Sequence, residues 1–179
     1  MIISLAKAQE LDPSITIDDL RAYEQMVRAL TNNTFQNIDV RYSIASFSGP
    51  ATIELKEVPF GLREGDTIEI SRSVFNDGLV TVESIDGNAL TVSDLPADFY
   101  EGAFAGAFIT KIQYPADIKY GVAGLIEYKA KMGSKLGIKS ETIARMSVTY
   151  YDINAADNIE GFPASKFSFL AKYEKMRWD

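Results

Sequence analysis

Val80-Thr81-Val82, the turn Asp86-Gly87-Asn88 and then Ala89-Leu90-Thr91-Val92 form the stretch whose reading decides the fold. Apolar and polar residues alternate on both sides of the turn, with the period of two of a half-buried strand. The Asp-Gly pair supplies the positive-φ position that a tight hairpin demands. Further out, the same period recurs in Thr52-Ile53-Glu54-Leu55, in Thr67-Ile68-Glu69-Ile70 and in Phe108-Ile109-Thr110-Lys111-Ile112. Arg63-Glu64-Gly65-Asp66 and Asn76-Asp77-Gly78 carry turn chemistry. Pro50, Pro59 and Pro96 fall at strand ends or loops, where a missing N–H does little harm. About five or six short strands in this span predict a small antiparallel barrel over residues 40–114.

Helical periodicity lies on either side. Thr16 is an expected N-cap, with Asp19 three positions on as in a capping box. Leu20, Tyr23, Val27 and Leu30 then recur at spacings of three and four, one buried helix face. Asn32 and Asn33 end it. Ser4 to Glu10 reads as a short helical turn stopped by Pro13. Beyond the barrel, Pro115-Ala116-Asp117 opens a second helix with Asp117 as its expected cap, and Ile118, Val122, Leu125, Met132 and Leu136 form its stripe. Gly121, Gly124 and Gly133 each cost roughly 1 kcal/mol of helix propensity, and small residues there let a neighbouring element approach. Met146 to Tyr151 reads as a strand, and Asp152 to Gly161 as a polar loop. Pro163 stands where a first helical residue should, and Phe167, Leu170 and Tyr173 face one way along a short helix. The fold class is therefore α+β: a small helical bundle of three to four helices, interrupted by an inserted antiparallel β-barrel-like domain. The expected parts are an N-terminal helical part (1–39), the insert (40–114) and a C-terminal helical part completing the bundle (115–179).

The 179 residues contain no cysteine and no histidine. Disulfides, thiolate metal sites and every catalytic triad or metal site that needs His or Cys are excluded. Carboxylate chemistry, Ser-Lys dyads and oxygen-ligated cations remain. Ser134-Lys135 and Ser165-Lys166 are adjacent on the chain, so on a helix neither pair faces itself. Gly133-Ser134-Lys135 lacks the upstream glycine of a phosphate-binding loop. No cofactor, metal site or catalytic residue is expected, and the chain reads as no enzyme. Glu64, Asp66 and Glu69 read as a solvated edge that protects the barrel from strand pairing. No apolar run is long enough to span a membrane, and Met1 to Asp12 is not expected to be a signal peptide.

Net charge is −7, unevenly spread. Residues 1–39 carry 3 basic and 6 acidic side chains (−3), residues 40–114 carry 5 and 11 (−6), and residues 115–179 carry 10 and 8 (+2). Any nucleic-acid contact is therefore local and confined to the last third. Lys131, Lys135 and Lys139 recur every four residues and form a basic stripe if the helix persists; it would face a DNA channel, an acidic partner or solvent. At the C-terminus, Met176, Arg177 and Trp178 are of the apolar, cationic and aromatic types that mark interface hot spots. With Phe169, Leu170 and Tyr173 they form a candidate docking segment.

The order of these motifs resembles the phage head–tail connector family, the adaptor or head-completion proteins. The resemblance is carried by the helix Asp18 to Leu30, by Pro115-Ala116-Asp117-Ile118 with Leu125-Ile126-Glu127-Tyr128, and by Ile138-Lys139-Ser140-Glu141-Thr142-Ile143 followed by Ser147-Val148-Thr149-Tyr150. Gly161-Phe162-Pro163-Ala164-Ser165, Phe169-Leu170 and Tyr173-Glu174-Lys175-Met176-Arg177-Trp178 complete it. It covers residues 14–39 and 115–179. It implies a non-catalytic virion protein, present in the host cytoplasm during assembly. Such a protein forms a homo-oligomeric ring, dodecameric on the portal. The ring docks under the portal protein, continues the channel for double-stranded DNA with non-specific contacts, and meets a tail or head-completion protein. No membrane is implied. The β insert departs from the family pattern and resembles small barrel modules of phage virion proteins across Phe75-Asn76-Asp77-Gly78-Leu79-Val80-Thr81-Val82. The alternative is a binding module whose β-domain recognises a glycan or peptide through Phe75, Phe99, Tyr100 and Phe104.

Overall fold

The computed structural model describes residues 1–132, 140–143, 146–149 and 158–176. The chain divides into two compact units. Thr34–Gln113, with Met1, make the first, and Ile2–Asn33 with Tyr114–Asp179 make the second.

The first unit is a closed antiparallel barrel. Its strands are β1 (Gln36–Ser48), β2 (Thr52–Leu55), β3 (Thr67–Ser71), β4 (Gly78–Asp86), β5 (Ala89–Ser93) and β6 (Phe108–Ile112). Around the barrel the order is β1-β2-β5-β4-β3-β6. The Asp86-Gly87-Asn88 hairpin is β4–β5, with Asp86 opposite Ala89 across a two-residue turn. Gly87 there has φ +59°, a conformation that L side chains avoid. Five of the six strands follow the alternation. β1 is the one that the period of two did not single out. Its thirteen residues pair with β6 through Gln36–Ser43 and with β2 through Ile44–Ser48. Its register shifts between Asn37 and Arg41 and again between Ile44 and Ser46. Such bulges bend a strand and break its alternation, and here they let one strand serve two neighbours and close the barrel.

Ile53, Leu55, Ile68 and Leu90 are fully buried in the barrel, with Phe47, Ile70, Val82 and Ile109 beside them. Each such side chain contributes roughly 1.5–3 kcal/mol of transfer free energy. Closure also corrects the reading of Glu64, Asp66 and Glu69 as a protected edge, because a closed barrel has no edge. Asp66 instead accepts from Lys111 Nζ at 2.6 Å and from the Arg63 amide at 2.8 Å. Glu69 accepts from Gln36 Nε2 at 2.8 Å. Among the described residues no three carboxylates converge as metal ligands.

The second unit contains α1 (Leu5–Gln9), α2 (Ile17–Thr31), α3 (Ala116–Met132), the hairpin β7 (Ser140–Ile143) and β8 (Met146–Thr149), the short pair β9 (Asn158–Ile159) and β10 (Phe162–Pro163), and a 3₁₀ helix, Ala164–Tyr173. Thr16 caps α2 in a reciprocal box: its hydroxyl accepts from the Asp19 amide at 3.2 Å, and the Asp19 carboxylate accepts from the Thr16 amide at 3.0 Å. Asn32, in the left-handed conformation at φ 47°, ends the helix. Leu20, Tyr23 and Val27 are buried as the spacing predicts, but Leu30 is exposed near the helix end. Asp117 lies within the first turn of α3 rather than before it. The last helix is 3₁₀, whose three-residue turn suits the spacing of Phe167, Leu170 and Tyr173. Among the described residues no helix is long and apolar enough to cross a membrane.

Candidate interaction surfaces

The candidate docking segment is for the most part tied to its own unit. Leu170 is 2% exposed, a core side chain. Phe169 lies over Gly121 of α3: a β-carbon at that position would stand 2.5 Å from its ring. Tyr173 donates its hydroxyl to Asp117 Oδ1 at 2.7 Å, and Lys172 pairs with Asp117 Oδ2 at 2.6 Å. These partners hold the Asp117 carboxyl below the usual carboxylate range, Lys172 first, then Tyr173. After the helix, the Lys175 amide donates to Thr31 O at 2.8 Å, and the Asn32 side chain donates to Met176 O at 3.2 Å. The end of α2 thus holds the chain up to Met176, whose side chain is 78% exposed. Arg177 and Trp178 lie outside the described residues, as do Lys135 and Lys139 of the basic stripe. Lys131 is exposed and pairs with Glu127 at 3.4 Å on the same helix.

Sequence reasoning missed a buried polar group in the second unit. Glu24, 2% exposed, and Arg28 lie on α2 against Tyr114. Burial first, and then the Glu24 charge, push the Tyr114 hydroxyl far above its ordinary pKa. A glutamate inside an otherwise amphipathic helix, one residue from the apolar stripe, was the signal available. Tyr23 is likewise raised to about 12, mainly by burial and then by Asp19. Lys129 reaches from α3 to Asp19 at 3.2 Å and sits 5.9 Å from the Tyr23 ring.

The barrel carries a built apolar tip. It is formed by the loop between β3 and β4 and by the loop between β5 and β6. Asp77 gathers the first loop, accepting from the Arg72 amide at 3.1 Å, the Ser73 amide at 2.7 Å and the Ser73 hydroxyl at 2.6 Å. Buried Asn76 clamps the second: its Nδ2 donates to Tyr100 O at 2.9 Å, and its Oδ1 accepts from the Tyr100 amide at 2.9 Å. The clamp holds Val74 at φ 70°, an uncommon conformation for a β-branched residue. Val74 (75%), Phe75 (62%) and Tyr100 (63%) stay exposed on top. Phe75 lies 5.0 Å from the Tyr100 ring and 6.0 Å from Phe104. Phe99 is no surface aromatic: it is 8% exposed and packs edge-on against Phe47 at 4.9 Å.

The architecture defines the chain as an α+β protein of two units, one of them a closed six-stranded antiparallel barrel. No protein-family model matches it, and no curated protein does. Among solved structures, the tailspike protein gp49 from Pseudomonas phage LKA1 is similar over 40% of this chain at 24% identity, with a TM-score of 0.32. The similar region spans 14% of that protein.

Proposed function

We propose that the chain is a structural subunit of a phage head–tail connector ring. It docks under the portal, continues the DNA channel and presents a surface for tail attachment, and it performs no catalysis. The observation that carries this reading is topological. The two separated segments that resemble the connector family, residues 14–39 and 115–179, fall almost wholly in one compact unit, and the barrel interrupts that unit as an insert. In this reading α2, α3 and the 3₁₀ helix, with α1, are the small helical bundle of the family. The ring sits in the virion, assembles in the host cytoplasm, and is dodecameric on the portal. Lys131, Lys135 and Lys139 face the channel or a partner, and Met176, Arg177 and Trp178 meet the portal.

Negative-stain microscopy and native mass spectrometry of the protein mixed with its portal test this. Rings on the portal are the expected outcome, and a chain that stays monomeric and never binds portal sinks the reading. Deleting residues 177–179 is expected to abolish docking with little loss of stability. Deleting 171–179 also removes Lys172, Tyr173 and the bonds to Thr31 and Asn32, and is expected to destabilise the second unit. The exposed Phe75 and Tyr100 favour the alternative, a barrel that binds a glycan or peptide. Hits on a glycan array that vanish in Phe75→Ala would support it.

A further inference from the structure

Gly121 and Gly124 both weaken α3, since glycine inside a helix is unfavourable. Among the described residues, only one of them has a reason within its own chain. Phe169 occupies the space that a β-carbon at Gly121 would need, whereas a β-carbon at Gly124 would meet nothing within 4 Å. Among the described residues nothing covers the position of a Gly124 side chain. Tyr120, one helical turn earlier, is 83% exposed, and Ala116 lies a further turn back on the same face. Lys119 beside it is exposed and has no carboxylate partner among the described residues. The strip carries one aromatic ring and, one turn on from Gly124, the exposed Glu127–Lys131 pair; Lys119 stands about 100° round the helix from Tyr120.

The barrel tip has the opposite character. Val74, Phe75 and Tyr100 project from a loop pair fixed by Asp77 and Asn76. Exposed Asp98 and Glu101 flank Tyr100 and have no cationic partner among the described residues. Among the described residues, an apolar knob with two unpaired acids at its border matches a helix face whose acids, Asp117 and Glu127, are already paired and whose uncompensated charge is Lys119. The segments that carry them have net charges of −6 (residues 40–114) and +2 (residues 115–179).

We propose that the Val74–Phe75–Tyr100 tip of one subunit docks on the Tyr120–Gly124 face of α3 in a second copy of the chain. The contact is heterologous, with a different surface on each side, which is the kind that closes rings by rotation. Aromatic residues at the centre and charges at the rim follow the usual anatomy of such contacts. The inference rests on the ring reading and names the surfaces that would build the ring.

The chain has no cysteine, so single-cysteine variants cross-link without background. Phe75→Cys and Tyr120→Cys proteins, each exposed at the changed position, are mixed and oxidised with and without portal. A disulfide-linked dimer that forms in the mixture, and not when Glu83→Cys replaces Phe75→Cys, is the expected result. Sedimentation velocity of Phe75→Ser should show self-association weakened by about thirtyfold. Asp98→Lys with Glu101→Lys should weaken it as well, and Lys119→Glu in the partner should restore it. If wild-type rings form while the mixture gives no cross-link and Phe75→Ser assembles normally, this contact is overturned and the ring reading stands. If the tip instead binds glycan and wild-type protein stays monomeric on portal, both fall.

Discussion

At the scale of single residues, the two glycines of α3 separate what a sequence pattern merges. Both read as small residues that admit a neighbour, and only packing distinguishes them. Gly121→Ala places a β-carbon in the Phe169 ring, so the gain in helix propensity is outweighed by overpacking of about 1–3 kcal/mol. Gly124→Ala meets open space and should stabilise the isolated protein by about 1 kcal/mol. Urea denaturation of the two variants checks this, and equal signs for the two changes would refute it. The local pattern around buried Asn76 likewise shows only a turn. Its clamp on Tyr100 joins residues 24 apart in sequence, so local pattern holds no trace of it. The Tyr173–Asp117 bond, across 56 positions, was hidden for the same reason.

At the scale of elements, helix ends supply the acid sensitivity. The Asp19 carboxyl is held below its ordinary value, first by the Thr16 hydroxyl and then by the Thr16 amide, and Asp117 is held down chiefly by Lys172. A carboxylate with a lowered folded pKa contributes stability above its unfolded value, and that contribution is lost as pH falls through the folded value. The melting temperature should therefore hold from pH 8 to about 5 and fall below about pH 4. With no histidine, no side chain has an ordinary pKa in the interval between. Asp19→Asn with Asp117→Asn should show a shallower acid limb in thermal scans. Both carboxylates are about a third exposed, 34% for Asp19 and 36% for Asp117, so solvent screens them and the difference is small. A steep loss of stability between pH 5 and 8 would contradict the account. At the alkaline end Tyr23, raised to about 12, favours the fold below pH 10 and loses that contribution as pH climbs towards 12.

At the scale of the molecule, the barrel is an insertion whose two ends meet. Gln36 pairs with Ile112, the Gln113 amide donates to Phe35 O at 2.9 Å, and Asn37 Nδ2 donates to Gln113 Oε1 at 3.0 Å. An antiparallel pair at the entry and exit brings the chain back within about 5 Å of where it left. An insert of this kind replaces a short loop in its host without spreading the flanking elements. Residues 34–113 expressed alone should fold with strand-type circular dichroism and a cooperative thermal transition. A disordered spectrum would show that the barrel depends on the second unit.

The sequence by itself determined the alternating strands, the Gly87 hairpin, the capping box of α2 and the class α+β, because each is a local property of a few neighbouring residues. It also determined the absence of histidine and cysteine chemistry. Tertiary structure alone decided that β1 bends through two bulges to close the barrel, that the acids at Glu64–Glu69 guard no edge, and that Phe99 and Leu170 are core while Phe75 and Tyr120 face outward. These depend on contacts between residues far apart in the chain, where packing and closure override the local pattern.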